Sequence, residues 1–123
     1  MFSIVIPTYN RRPFLQRAFS SILQQTFENW ELILVDDGST DGTEEWIHKF
    51  IEAITPPVST KIRYIKTSNN GVSKARNLGV SLASKPWIAF LDSDDQWLPH
   101  KLQTQDQFIK QHPNYSIVHG NES

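Results

Sequence analysis

The stretch LDSDD, residues 91–95, sets Asp92, Asp94 and Asp95 within four positions, directly behind the apolar run WIAFL. Two carboxylates about 5 Å apart repel by roughly 3 kcal/mol at an effective dielectric near 20. A second acidic stretch, DDGSTD, places Asp36, Asp37 and Asp41 behind another apolar run, ELILV. A cation must offset that repulsion. Oxygen donors of this kind suit a hard divalent ion, Mg²⁺ or Mn²⁺, which commonly takes only one or two carboxylates while a phosphate supplies the remainder. A diphosphate bridged by such an ion accounts for the cluster, and neutralising its charge makes it a better leaving group.

These residues need elements to position them, and the chain alternates short β-branched runs with helical patterns. FSIVIP (2–7) reads as a strand ended by Pro7. PFLQRAFSSILQQ (13–25) opens on a proline suited to a first helical turn and sets Phe14, Leu15, Ala18, Phe19, Ile22 and Leu23 on one face. ELILVDD (31–37) is apolar on both faces, as a central parallel strand is. Asp41 and Glu44 have the spacing of a capping box, opening a helix with the stripe Trp46, Ile47, Phe50, Ile51 and Ile54. Pro56 and Pro57 force a loop. KIRYIKT (61–67) reads as a strand near an edge because charges alternate along it. NNG (69–71) is a turn, and Ser73 is placed to cap a helix that turns Ala75, Leu78, Leu82 and Ala83 inward. WIAFL (87–91) is a fourth strand, Pro99 to Gln111 a helix, and YSIVHG (115–120) a fifth strand.

That alternation predicts an α/β fold: a mostly parallel, Rossmann-like sheet with helices on both faces. Ligands in such sheets bind beyond the carboxyl ends of the strands, where strand order reverses. With order 3-2-1-4 the crevice lies between strands one and four. PTYN and DSDD then face each other across it, with DDGSTD alongside, and six of the 13 acids crowd one rim.

The 123 residues fit one domain, and 4 Trp and 7 Phe supply a core. A net charge of −1 gives no electrostatic drive toward nucleic acid or an anionic membrane surface. The absence of cysteine excludes disulfides and thiolate metal sites. No apolar run approaches the roughly 20 residues needed to span a bilayer. In MFSIVIPTYNRR the basic residues follow the apolar run rather than precede it, which is not the order of a secretory signal. The expected location is cytoplasmic, or at the inner face of the membrane by way of a region outside this sequence.

The succession IVIPTYNR, ELILVDDGSTDGT, NNGVSKARNLG and WIAFLDSDD resembles the family-2 glycosyltransferases, inverting enzymes of the GT-A fold that use nucleotide-diphosphate sugars. Four motifs in order, across residues 2–119, make the resemblance specific. It implies that Pro7, Thr8 and Tyr9 line the nucleoside base, with the Tyr9 ring packing on it. Asp37 would accept from the base imide, which favours a UDP-sugar, while Asp36 supports the loop. Arg76 would stand near the donor. Asp92 and Asp94 would form the DxD pair, Asp92 toward ribose or a metal water and Asp94 as the direct metal ligand. The implied cofactor is Mn²⁺ or Mg²⁺ and the implied acceptor a glycan or lipid. Family members are longer and keep the general base in a C-terminal part. The chain is therefore expected to be the N-terminal donor-binding portion of a longer enzyme, with its base beyond residue 123.

Blander roles are assigned to the other polar residues. Gly38 and Gly71 read as turn residues, Lys74 as solvated, and Asp95 as ordering the loop before Trp97. Trp97 follows the acidic segment and is placed to line the donor pocket. The four histidines have no ligand spacing and are assigned no role; His100, close to DSDD, is only a weak candidate for a metal contact. A non-catalytic nucleotide-binding fragment is the alternative reading. A phosphoacceptor receiver domain also carries a VDD, but on its first strand, whereas residues 2–25 precede it here. The sheet edge after the fifth strand offers pairing to a second copy in a homo-oligomer.

Overall fold

The computed structural model describes residues 1–56 and 58–111, and the backbone of 118–119. The strands are β1 (Phe2–Thr8), β2 (Trp30–Asp36), β3 (Ile62–Lys66) and β4 (Trp87–Phe90), and the helices α1 (Arg12–Leu23), α2 (Thr43–Ala53), α3 (Val72–Leu82) and α4 (Lys101–Gln111). These strands pair in parallel in the order 3-2-1-4, as expected for a Rossmann-like GT-A sheet. A two-residue segment, β5 (Val118–His119), pairs with β4; the rest of the strand expected over 115–120 lies outside the described residues.

Position in the sheet follows from side-chain chemistry. β1 and β2, buried along their whole length, are central, whereas Arg63 and Lys66 mark β3 as the edge strand. One face buries Phe2, Ile4, Ile6, Leu32 and Leu34 beneath Leu15, Phe19 and Ile22 of α1, Ile47 of α2, and Leu102 and Ile109 of α4. Phe19 meets Trp46 and Phe50 edge to face. The opposite face is covered by α3, with Ala75 on Ile33 and Val35.

Three local expectations need correction. β1 continues through Pro7 to Thr8. Backbone polar groups face alternate neighbours along a strand: the Val5 carbonyl accepts from Leu91 on the β4 side, and the Thr8 carbonyl from Asp37 on the β2 side. Pro7 is in phase with Val5, so its missing N–H faces β4, whose pairing stops at Phe90 opposite Val5. No ladder bond is lost, and the parting of β1 and β4 begins there. The other two corrections concern caps. Gly42 and Gly71, not Asp41 and Ser73, hold the N-cap positions of α2 and α3, and neither helix has a side-chain cap. Both glycines have positive φ, which a side chain disfavours.

Gly79 brings α3 close to β1: a Cβ added there would lie 2.3 Å from Val5 Cγ1. In a free helix Gly→Ala gains about 1 kcal/mol, but overpacking a core costs about 1–3 kcal/mol. Gly79→Ala is expected to lower stability by up to about 2 kcal/mol net. Urea unfolding should show a lower midpoint at unchanged slope, and a raised midpoint would show that α3 does not press on the sheet.

Candidate functional site

A crevice of about 370 Å³ opens beyond the ends of β1 and β4. Pro7, Thr8 and Tyr9 line it from β1, Asp37 from β2, and Asp92, Ser93 and Asp94 from the segment after β4. Asn69, Gly71, Val72 and Ala75 line it from the β3–α3 side, and Arg11 from the β1–α1 turn. The Tyr9 side chain is 43% exposed and free to take a planar group on its ring. Thr8 is buried, and its hydroxyl has no hydrogen-bond partner among the described residues. Arg76 does not line the crevice; its Nη2 lies 3.4 Å from Asp92 Oδ1 at the rim, with both side chains well exposed. Such a pair adds little stability but sets a fixed cation beside the acids.

The six acids of the rim divide sharply in their partners. Asp36 is fully buried; its Oδ1 accepts from the Ser39 N–H at 2.9 Å and its Oδ2 from the Tyr64 hydroxyl at 2.5 Å. Burial, and that bond to Asp36, push the Tyr64 phenol well above its ordinary pKa. Asp37 Oδ1 accepts from the Asn70 N–H at 2.8 Å and Thr67 Oγ1 at 3.3 Å, and Oδ2 from the Gly71 N–H at 2.9 Å. Asp41 accepts from the Arg12 N–H and Thr43 Oγ1, at 2.9 and 2.6 Å. Asp95 accepts from the Gln96 N–H at 2.8 Å. Loop donors thus do much of the offsetting that had been assigned to one cation, and the expectation is corrected to that extent. Asp92 is left with Arg76, and the Asp94 carboxylate makes no hydrogen bond or ion pair among the described residues.

No three Asp, Glu, His or Cys side chains converge as a cation cage among the described residues. The available donor set is Asp92 and Asp94. Two hard oxygen groups fit an ion of the Mg²⁺ type, which completes its shell from water and phosphate.

The loops that carry these groups hold one another. Asn10, at φ 52°, donates its N–H to Ser39 Oγ at 2.9 Å and accepts from the Thr40 N–H at 2.8 Å. Asn tolerates the left-handed region better than most residues. Gly38, at φ 84°, lies so near the β3–α3 loop that a Cβ would meet Asn69 N and Thr67 O at 3.2 Å. Sequence reasoning missed Arg11, Asn69, Gly71, Val72, Ala75 and Ser93 as lining residues. The signal for Arg11 was its place directly after PTYN, and for Asn69 its place in NNG. Trp97 does not reach the crevice; it is buried in the main core with Leu102. His100 stands against Thr26, its Nδ1 3.2 Å from Oγ1.

Residues 3–122 match the family model described as Glycosyl transferase family 2. The chain belongs to glycosyltransferase family 2. Within this family it is similar to a Bacillus subtilis protein named as the putative teichuronic acid biosynthesis glycosyltransferase TuaG, 37% identical over 109 residues. It is also similar to an Escherichia coli protein, the UDP-Glc:alpha-D-GlcNAc-diphosphoundecaprenol beta-1,3-glucosyltransferase WfgD, 36% identical over 121 residues. Those alignments cover 89% and 98% of this chain but only 42% and 45% of the relatives, so the chain spans under half their length. Among solved structures, Staphylococcus aureus TarS 1-349 in complex with UDP superposes with a TM-score of 0.80 at 28% identity, over 91% of this chain and 32% of that one. The Pyrobaculum calidifontis mannosyltransferase PcManGT, at 22% identity and TM-score 0.79 over 88% of this chain and 32% of that one, shares the fold.

Asp41 joins α1 to α2 by electrostatics that a pH series can read. Burial alone would raise its pKa, but the bonds from Thr43 Oγ1 and the Arg12 N–H more than offset this and hold it below the ordinary 3.8. A carboxyl lowered in the folded state stabilises above its unfolded pKa, and that contribution is lost as pH falls through the folded value. Stability should therefore fall as pH drops below about 4, and Asp41→Asn should flatten that acid limb while lowering stability at pH 7. Urea midpoints across the acid range check this; an unchanged acid limb in the variant would refute it.

Proposed function

We propose that this chain carries the donor-binding half of an inverting, metal-dependent glycosyltransferase, and that the crevice receives the nucleoside diphosphate of a UDP-sugar. The observation that carries the reading is the convergence of Tyr9, Asp37 and the Asp92–Asp94 pair on one cavity at the reversal of strand order. The name of the similar E. coli relative, a UDP-Glc-dependent glucosyltransferase acting on a lipid diphosphate, and the UDP complex of TarS support it.

In this reading Pro7, Thr8 and Tyr9 hold the base. Asp37 uses three of its roughly four acceptor positions on the segment between β3 and α3. One remains for an imide N–H, which uracil presents. The Thr8 hydroxyl, buried and without a hydrogen-bond partner among the described residues, stands behind the wall that the nucleoside would meet. Asp92 would face the ribose or a metal-bound water, and Arg76, at the rim, would stand near the donor. Asp94 and Asp92 would hold Mg²⁺ or Mn²⁺, which when bound neutralises charge developing on the departing diphosphate. The acceptor hydroxyl, of a glycan or lipid, would attack the anomeric carbon opposite the leaving group. Positioning and electrostatics do the work on this side of the reaction. The general base that takes the hydroxyl proton is expected beyond residue 123.

Calorimetric titration with UDP, GDP and dTDP, each with and without Mn²⁺, tests the assignment. UDP should bind more tightly with Mn²⁺ by about tenfold, a difference of ~1.4 kcal/mol. Asp94→Ala should remove that metal-dependent gain, and unchanged binding in the variant would remove Asp94 as the ligand. Sugar transfer by these 123 residues alone should be slight, since they lack the expected base, and robust turnover would overturn that part.

A further inference from the structure

The segment that carries Asp92 and Asp94 is held from behind by α1. Leu91 donates its N–H to the Val5 carbonyl on β1 at 3.1 Å, and Trp97 anchors the middle in the core. From there the contacts come from α1. Gln25, just past the helix and 6% exposed, donates from Nε2 to the Leu98 carbonyl at 2.7 Å and to its own helix at Ser21 at 3.1 Å. Its Oε1 accepts from the Leu102 N–H at 3.0 Å. Both amide hydrogens and the carbonyl are therefore committed. The Leu102 N–H lies in the first turn of α4, where backbone donors lack a partner in their own helix. One side chain thus closes the end of α1, the end of the acidic segment and the start of α4. The adjacent Thr26 N–H reaches the Pro99 carbonyl at 3.0 Å. Earlier in α1, the exposed Arg17 extends Nη2 to the Asp94 carbonyl at 3.4 Å.

We infer that Gln25 is a positioning residue of the donor site: its buried amide fixes residues 98–102 against α1, and so sets where Asp94 stands. The inference rests on the reading of Asp94 as the carboxylate turned to the metal–diphosphate end of the donor. Asp94 itself has no side-chain partner among the described residues, so its position depends on the backbone that carries it. Holding that backbone in advance removes an ordering cost from binding. The base end of the crevice, at Tyr9 and Asp37, is built by other loops and does not depend on Gln25.

The test uses the 123-residue chain, with UDP and Mn²⁺ as the probes and Gln25→Met and Arg17→Gln as the variants. Gln25→Met keeps the side-chain length and removes the amide; Arg17→Gln shortens an exposed tether and decides the matter if Gln25→Met does not fold. In Gln25→Met the amides of residues 92–100 should exchange about tenfold faster than in the wild type, with those of Ser39 and Thr40 unchanged. The Mn²⁺-dependent gain in UDP affinity should fall about fivefold, while affinity without Mn²⁺ stays within about twofold. Arg17→Gln should lose about threefold of the same gain. A merely structural role would weaken UDP equally with and without Mn²⁺, and that result overturns the inference, as does an unchanged gain in a folded Gln25→Met or, should that variant not fold, in Arg17→Gln. A wild-type chain with no Mn²⁺-dependent gain overturns instead the donor reading, and this role with it.

Discussion

Every strand of a parallel sheet ends on the same rim, so every loop that follows a strand meets the others there. Carboxylates placed on that rim must find donors or repel one another. In this chain the donors are largely backbone N–H groups of the rim loops: Ser39 for Asp36, Asn70 and Gly71 for Asp37, Arg12 for Asp41. The Asp36 bond closes its own loop, and the Asp37 and Asp41 bonds each join two loops. The rim holds its shape because its acids are spent on its own backbone.

That arrangement leaves a small, defined remainder. Asp92 has only a long contact to Arg76, and Asp94 has no side-chain partner among the described residues. They stand together on one side of a cavity whose other walls are rigidly held, by Asn10 on the DDGSTD loop and by Asp37 on the NNG turn. Reserved charge on a fixed frame is what a site needs to bind a cationic or metal-bridged group without reorganising. Helix α1 serves this frame twice. Its inner face anchors the core, while Arg17 and the Gln25–Thr26 end grip the acidic segment.

Much of this was legible in the residues. LILV, apolar on both faces, marked a central parallel strand, and the alternating charges of KIRYIK marked an edge; both stand so in the sheet. The order of the four polar motifs identified the family and brought PTY, Asp37 and DSD to one crevice. The misreadings are of one kind. Asp41 and Glu44 fit a local capping pattern, yet Asp41 bonds the N–H of Arg12, 29 residues away. Trp97 follows the acidic loop in sequence but turns into the core on the other side of it. Gln25 read as the end of a helix, with nothing in its neighbourhood to show that it holds residues 98–102.

By itself, then, the sequence determined the alternation of strands and helices, the family, and the strand ends at which acids stand. These depend on periodicity and on residue types within a few positions of each other. Only the tertiary structure decided which acids are satisfied and which are left available. For Asp37 and Asp41 the deciding partners lie on loops brought near by crossovers, 29 to 34 residues away in the chain, and short-range preference carries no information about which donor will arrive.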